Sequence, residues 1–151
     1  MSILTAPSKA AATAQLLTEN WLRNVFSSDL YVVSGRTADT DGDGNRTPTV
    51  VVTHLHASDT EPPVLVVEVS DGPVSEEVIE EAGRYAAAGV RDYWVIEVGA
   101  RKLHTFRDPR LDSDARHGGR YAQVRAHSPY ALVSPLAAEI HLAQVINLLP
   151  W

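Results

Sequence analysis

The sequence predicts an α/β protein in which helices pack on a mixed β-sheet. Three observations indicate this class. Apolar residues recur at helical spacing near the amino terminus, six short runs have the patterns of strands, and one strand–helix–strand unit occupies residues 64–96. A strand joined by one helix to the next strand favours a parallel crossover, so we expect one parallel pair within otherwise antiparallel hairpins.

Six strands and three helices are predicted along the chain. The predicted strands cover residues 30–33, 49–56, 64–69, 93–96, 101–107 and 121–124. The predicted helices cover residues 8–26, residues 74–88 and a C-terminal segment, LAAEIHLAQVINLLPW, that begins extended and continues as an amphipathic helix. The second helix has Glu76 and Glu77 where the helix dipole favours acids, and Gly89 where a left-handed C-terminal residue belongs.

The composition is that of one soluble globular domain, which we expect to span residues 1–151. Hydrophobic residues make up 44% and charged residues 21% of the 151 residues. Cysteine is absent, which excludes disulfides and thiolate metal sites. No apolar stretch approaches the roughly 18 residues of a spanning helix, and the amino terminus lacks the pattern of a signal peptide. We therefore expect a cytoplasmic protein with no membrane partner.

The charge is unevenly distributed. The net charge is −6, with 15 acidic and 6 basic side chains in residues 1–100 and 4 acidic and 7 basic side chains in residues 101–151. A sequence-independent nucleic-acid binder normally has a basic stripe and a high pI, and this chain has neither overall. A local basic strip remains, which we interpret as solvated hairpin residues; it comprises Arg101, Lys102, Arg107, Arg110, Arg116, Arg120 and Arg125.

One strand contains an unexpected carboxylate. The run PPVLVVEVSDG, residues 62–72, is typical of a strand buried on both faces, yet it includes Glu68. A carboxylate in such a strand costs several kcal/mol unless a charged or hydrogen-bonding group meets it. Two interpretations are open: Glu68 is a metal ligand, or it is a structural carboxylate. Its candidate partners in the second case are Arg84, Arg91, Tyr85 and a backbone amide.

The residues around Glu68 resemble a known family. The block PPVLVVEVS, the helix end RYAAAGVRDYW and the strand VIEV are similar to the Uma-two-type endonucleases of the PD-(D/E)XK, or restriction-endonuclease-like, superfamily. The resemblance covers about residues 46–145 and implies a restriction-endonuclease-like mixed sheet flanked by helices. It also implies metal-dependent hydrolysis of DNA, in which an Asp and a Glu hold Mg²⁺ or Mn²⁺ and a lysine stabilises the developing charge.

The resemblance assigns roles to four positions. Glu68 stands at the position of the metal-binding glutamate, and Glu77 at that of a helical aspartate. Thr49 stands at the position of the motif aspartate, and Glu81 at that of the lysine. We therefore expect impaired catalysis, with Glu68, Glu81 and Glu77 as candidate catalytic residues and Glu68 and Glu81 as candidate metal ligands. The alternative is a non-catalytic protein of the same fold that binds a protein partner or itself, as a homodimer, through its surface or C-terminal tail.

Two other patterns have weaker metal-binding character. The loop DTDGDGN, residues 39–45, matches the first half of a calcium loop, and its acids are Asp39, Asp41 and Asp43. The twelfth position of a calcium loop holds an acid, but here it is Val50, and we therefore favour the interpretation as a hairpin turn. Asp41 or Asp43 is also an alternative source of the missing motif acid. His54 and His56 lie two residues apart in a predicted strand, which places both imidazoles on one face, a geometry that zinc can use. No third ligand is evident nearby in the sequence, so we favour the interpretation that they are polar residues at an exposed strand end.

Overall fold

The computed structural model describes residues 8–39 and 46–150. The helices are α1 (Lys9–Val25) and α2 (Glu76–Ala87). The strands are β1 (Tyr31–Asp39), β2 (Arg46–His54), β3 (Leu65–Ser70), β4 (Asp92–Glu97), β5 (Lys102–Leu111), β6 (Gly119–His127), β7 (Leu132–Val133) and β8 (Ala143–Gln144). Short 3₁₀ turns occupy Leu136–Ala138 and Val145–Leu148. Neither α1 nor α2 is long and apolar enough to cross a membrane.

The main sheet contains β1 to β6 in the order of the chain. Strands β3 and β4 are parallel and are connected by α2, while the other neighbouring pairs are antiparallel. The predicted mixed sheet with one crossover is therefore confirmed. Strands β7 and β8 form a separate two-stranded sheet.

A hydrophobic cluster covers each face of the sheet. Alternation along β3 directs Leu65, Val67 and Val69 to the face covered by α1, and Val66 to the face covered by α2. The α1-side cluster also includes the C-terminal residues Val133, Val145, Leu148 and Leu149. By the same alternation Glu68 points to the α2 face.

Helix α2 lies very close to the beginning of β6. Gly83 in α2 faces Gly119, and a Cβ built on Gly83 would lie 2.3 Å from the Gly119 carbonyl oxygen. The helix is followed by Gly89 at φ 84°, the left-handed conformation predicted for that glycine. These contacts hold the C-terminal half of α2 against the sheet and thereby position the side chains that face β3.

The first hairpin is longer than the sequence predicts. The residues SGRTAD after Val33 consist of turn formers, yet β1 continues through them to Asp39 and β2 begins at Arg46. The register is continuous from Tyr31 opposite His54 to Asp39 opposite Arg46. Backbone pairing with the nine-residue β2 outweighs the local turn preferences of these side chains.

The C-terminal helix predicted from the sequence is wrong. The segment instead forms β7, β8 and two 3₁₀ turns. The amides of Val145 and Ile146 donate to the carbonyl oxygens of Ala131 and Pro129, at 3.0 and 2.8 Å, rather than to carbonyls one helical turn earlier. Tertiary contacts decide the conformation here, because Val145, Leu148 and Leu149 are buried in the α1-side cluster.

Candidate functional site at Glu68

Glu68 lies on an inner strand beneath α2. Its register partners are Thr49 on β2 and Val95 on β4, so both neighbours direct their side chains to the same face. The residue is only partly exposed, whereas Val67 and Val69 beside it are buried. The carboxylate therefore lies on the mainly apolar face of the sheet that α2 covers.

Two tyrosine hydroxyls satisfy the carboxylate of Glu68. Tyr85 of α2 donates a short hydrogen bond to Oε1, and Tyr93 of β4 donates to Oε2 at 3.0 Å. The two rings are stacked with their centroids 4.6 Å apart. The helix and the adjacent strand thus supply one donor to each carboxylate oxygen.

Burial dominates the electrostatics of this group. Desolvation raises the pKa of Glu68, against the lowering effects of the bonds from Tyr85 and Tyr93 and of the nearby Arg84 guanidinium. Burial and the Glu68 carboxylate also raise the pKa of both tyrosines, which therefore remain protonated donors.

Thr49, at the motif aspartate position, lies directly across the strand pair from Glu68. It is 2% exposed, and its hydroxyl donates to the carbonyl oxygen of Thr47 at 2.9 Å. Its own carbonyl accepts a bond from the Gln15 side chain at 3.1 Å. The register therefore places Thr49 and Glu68 side by side on β2 and β3, and the side chain of Thr49 is neutral and turned toward its own strand.

Glu81, which the resemblance places at the lysine position, has basic partners that are not among the hydrogen-bond partners of Glu68. Its carboxylate lies 3.2 Å from Arg84, 3.2 Å from Nε2 of His117 and 4.0 Å from Arg116. Arg84 and Glu81 form a salt bridge between positions i and i+3 of α2. Glu81 nevertheless contributes a small raising effect on the pKa of Glu68.

The remaining candidate residues within residues 8–39 and 46–150 are dispersed. Glu77 is exposed on the first turn of α2. Asp41 and Asp43 lie outside the described residues, and Asp39 is the last residue of β1. The exposed His54 stacks on Tyr31, with ring centroids 5.1 Å apart, and His56 follows the end of β2.

The donor set at Glu68 does not fit a divalent metal. Within residues 8–39 and 46–150, no group of three His, Asp or Glu side chains is arranged to hold a metal ion. Magnesium in nuclease-type sites is held by carboxylates and waters, and here one carboxylate stands beside a threonine hydroxyl and two phenols. The two phenol hydroxyls donate hydrogen bonds to Glu68, so each directs a hydrogen atom toward the carboxylate, whereas a metal ligand directs a lone pair toward the ion.

Sequence reasoning missed two side chains that organise this part of the sheet. Tyr93 lies two residues before Val95, the register partner of Glu68, so strand alternation alone would have placed it on the same face.

Asp92 is a second buried carboxylate, on the opposite face. It accepts bonds from Trp94 at 2.7 Å, Arg107 at 3.0 Å and the Leu136 amide at 2.9 Å.

Most of the basic strip is neutralised within the molecule. Ion pairs join Arg107 to Asp92, Arg110 to Asp108, Arg116 to Glu81 and Arg120 to Asp112, at 2.9–4.0 Å. The guanidinium of Arg101 donates to the carbonyl oxygen of Pro150 at 2.8 Å. These pairings weaken the positive potential that the β5–β6 hairpin presents to solvent.

Comparison with known proteins identifies the family of the chain and a similar fold. The model of the Uma2 family, described as putative restriction endonuclease, matches residues 3–143. The fold is similar to that of a putative nuclease belonging to DUF820 from Anabaena variabilis ATCC 29413, with a TM-score of 0.65 and 13% sequence identity over 97% of this chain and 84% of that chain. No curated protein matches the sequence. The chain therefore belongs to the Uma2 family, and its fold is that of a putative nuclease, as the resemblance predicted.

Proposed function

We propose that this chain is an endonuclease-like protein whose metal-dependent catalysis is impaired and which acts by binding. The observation that carries the proposal is the pairing of Glu68 with the hydroxyls of Tyr85 and Tyr93, opposite the neutral Thr49. A nuclease of this class requires at least two carboxylates that converge on Mg²⁺ or Mn²⁺. Here Glu68 is met by hydrogen-bond donors.

The charge at the lysine position supports the same proposal. A catalytic lysine stabilises negative charge as it develops on the phosphoryl group. Glu81 has the opposite charge, and its carboxylate already pairs with the Arg84 guanidinium and lies 3.2 Å from the His117 ring. The transition state would therefore lose a favourable interaction and meet a repulsive one.

The surface charge also favours a partner other than nucleic acid. The net charge is −6, and four of the arginines in the strip have acidic partners. Binding to the phosphate backbone depends on cations that are free to displace counterions. A protein partner or a second copy of this chain fits this surface better, whereas DNA is the substrate if activity survives.

A cleavage assay tests the proposal. Plasmid and single-stranded DNA are incubated with the full chain and Mg²⁺ or Mn²⁺, beside the variants Glu68→Gln and Thr49→Asp/Glu81→Lys. We expect no difference between the wild type and Glu68→Gln. The double variant restores both motif charges, so cleavage by that variant alone would identify the two replacements as the cause of the impairment. Metal-dependent cleavage by the wild type that Glu68→Gln abolishes would contradict the proposal.

Calorimetric titration separates metal binding from turnover. We expect Mg²⁺ and Mn²⁺ to give no heat of binding that depends on Glu68, because no group of three His, Asp or Glu side chains in residues 8–39 and 46–150 is arranged to hold a metal ion. Binding by the wild type that Glu68→Gln removes would instead support an active metal site with Glu68 as ligand.

An active enzyme that takes its second acid from the hairpin loop is the other candidate. Strand β2 begins at Arg46, and Asp41 and Asp43 precede it in the sequence by five and three residues. If the wild type cleaves DNA, Asp41→Asn and Asp43→Asn test this source of the acid. Loss of cleavage in either variant would support it, whereas full activity in both would exclude it.

A further inference from the structure

The main sheet has two edge strands, and the structure covers them unequally. Strands β1 and β6 lie at the two ends of the strand order, so each has one side without a neighbouring strand among the described residues. Alternate residues of such a strand direct their amide and carbonyl groups away from the sheet, where a further strand can bond to them. A free edge of this kind is a candidate interaction surface.

The edge formed by β1 is covered by α1. The guanidinium of Arg23 donates to the carbonyl oxygen of Val33 at 3.2 Å, and the same guanidinium pairs with Glu19. A Cβ built on Gly35 would overlap the carboxylate of Glu19, so this side chain rests directly against the strand. Side chains of α1 thus occupy part of the space that a strand added to β1 would need.

The edge formed by β6 is open. Its backbone pairs with β5, and within residues 8–39 and 46–150 no side chain or further strand bonds to its outer backbone groups. Residues 122–126 are all exposed, whereas Thr105 and Phe106, which lie opposite Arg125 and Val124, are buried. Since successive side chains of a strand point to opposite faces, this part of β6 is uncovered on both faces as well as along its edge.

Strand β6 lacks the features that usually block an edge strand. Its sequence, GRYAQVRAH, contains no proline and no lysine. Its pairing with β5 keeps one register from Gly119 to His127, without the extra residue of a bulge. Apart from His127, its ionisable side chains of permanent charge are Arg120 and Arg125. The barrier to an added strand is therefore electrostatic, and it has a single sign.

The charge of this strand is opposite to that of the whole molecule. The chain has a net charge of −6, yet residues 115–138 contain three arginines and no carboxylate. Two of these arginines have acidic partners, whereas the exposed Arg125 forms no ion pair within the described part of the chain. Burial and the positive charges of Arg107 and Arg125 lower the pKa of His127. Positive charge is thus uncompensated along the open part of β6.

These observations select the chemistry of the partner. An extended peptide carries backbone donors and acceptors along its whole length, which is what a free strand edge binds. Carboxylates on that peptide would meet Arg125 across the new ladder, where opposite charges attract and like charges repel. A second copy of β6 would bring two further arginines and no acid to the contact, which disfavours pairing of this strand with itself.

We propose that the free edge of β6 binds an extended, acidic segment of a partner protein as an additional strand of the main sheet. The backbone of that segment bonds to the outward amide and carbonyl groups of residues 122–126, and one of its carboxylates pairs with Arg125. This inference rests on the proposed function, in which the chain acts by binding, and it specifies the surface and the class of partner.

The open edge and the Glu68 site are separate. Glu68 lies on β3, and strands β4 and β5 stand between it and β6. The DNA cleavage and metal titration experiments change Glu68, Thr49 and Glu81, none of which belongs to β6. Failure of peptide binding would therefore leave the conclusion on catalysis intact, and DNA cleavage by the wild type would leave binding at β6 intact.

Fluorescence anisotropy of a labelled peptide mixed with the full chain tests the proposal. The probe is a nine-residue peptide in which valine and glutamate alternate. One comparison peptide replaces each glutamate by lysine, and another replaces each valine by proline, which keeps the charge but disrupts strand pairing. We expect the valine–glutamate peptide to bind and both comparison peptides to bind much more weakly.

Two charge-reversal variants identify the contact. Arg125→Glu should weaken binding of the valine–glutamate peptide about tenfold, because a repulsion replaces an attraction across the ladder. The same variant should bind the valine–lysine peptide better than the wild type does. Arg91→Glu is the matched control, since Arg91 is also exposed but directly precedes the inner strand β4, and it should bind as the wild type does. Circular dichroism melts confirm that both variants are folded.

Hydrogen exchange of the full chain locates the added strand. With the valine–glutamate peptide present, we expect slower exchange of amides in Gly119–His127 and no change in Tyr31–Asp39, the covered edge. No binding at any peptide concentration, equal binding of the three peptides, or an unchanged affinity in Arg125→Glu would each overturn the proposal. Slower exchange of β6 at high protein concentration without peptide would assign the edge to a second copy instead. The same change caused by single-stranded DNA, but not by the peptide, would assign it to nucleic acid.

Discussion

At the scale of single residues, Glu68 shows how hydrogen bonds from two tyrosines accommodate a carboxylate in an apolar strand. The apolar strand around it made the residue conspicuous in the sequence, and Tyr85 was among its foreseeable partners. Tyr93 completes the arrangement by donating to the second oxygen. The pair of phenols supplies hydrogen bonds to a group that burial would otherwise leave unsatisfied.

The raised pKa of Glu68 gives a testable dependence of stability on pH. Because its pKa is higher in the folded protein than in the unfolded chain, where it is about 4.3, the folded state binds the proton more tightly. This contribution to stability is therefore lost as pH rises from the unfolded pKa through the folded pKa. We expect the unfolding free energy of the wild type, minus that of Glu68→Gln, to decrease with rising pH.

Urea titrations of the two proteins at a series of pH values measure this difference. Subtraction removes the contribution of Asp92, whose pKa burial also raises, because Asp92 is present in both proteins. A difference that stays constant would show that the tyrosines and Arg84 balance desolvation at Glu68, and one that increases with pH would show that they outweigh it.

At the scale of elements, the position of α2 depends on two glycines. Gly83 and Gly119 allow the helix backbone to approach β6 so closely that a Cβ on Gly119 would lie 2.4 Å from the amide nitrogen of Ala87. Glycine inside a helix is unfavourable by roughly 0.5–1 kcal/mol relative to alanine. The close packing of the helix on the strand explains its presence.

Gly83→Ala should therefore destabilise the protein despite the higher helix propensity of alanine. The new Cβ would lie 2.3 Å from a backbone oxygen that cannot move independently, and such overpacking costs about 1–3 kcal/mol. Gly72→Ala is the matched control, because no atom lies within 4 Å of the added Cβ. Thermal or urea unfolding should show a clear loss for Gly83→Ala and little change for Gly72→Ala; equal effects would refute the packing argument.

At the scale of the whole molecule, the C-terminal segment is a structural layer. Val145, Leu148 and Leu149 complete the cluster that α1 alone leaves open on its side of the sheet. The segment therefore combines a buried inner side with an exposed outer side. Deletion of residues 146–151 would therefore remove the core side chains Leu148 and Leu149.

Leu148→Ala measures this contribution. Leu148 is 1% exposed, and truncation of a buried leucine costs about 2–5 kcal/mol. Leu16→Ala, at a position 56% exposed on α1, should change stability by no more than about 0.5 kcal/mol. Chemical unfolding of the two variants compares these values, and a cost at Leu148 as small as that at Leu16 would show that the tail is not part of the core.

The sequence by itself determined the order of α1, the six sheet strands and α2, because each contains an apolar run or repeat of recognisable period. It also identified Glu68, since an acid in an apolar strand is visible without coordinates. Only the tertiary structure decided the length of the first hairpin, the non-helical C-terminal segment and the partners of Glu68 and Glu81. Those features depend on backbone pairing and on contacts between residues distant in the chain, which local periodicity does not encode.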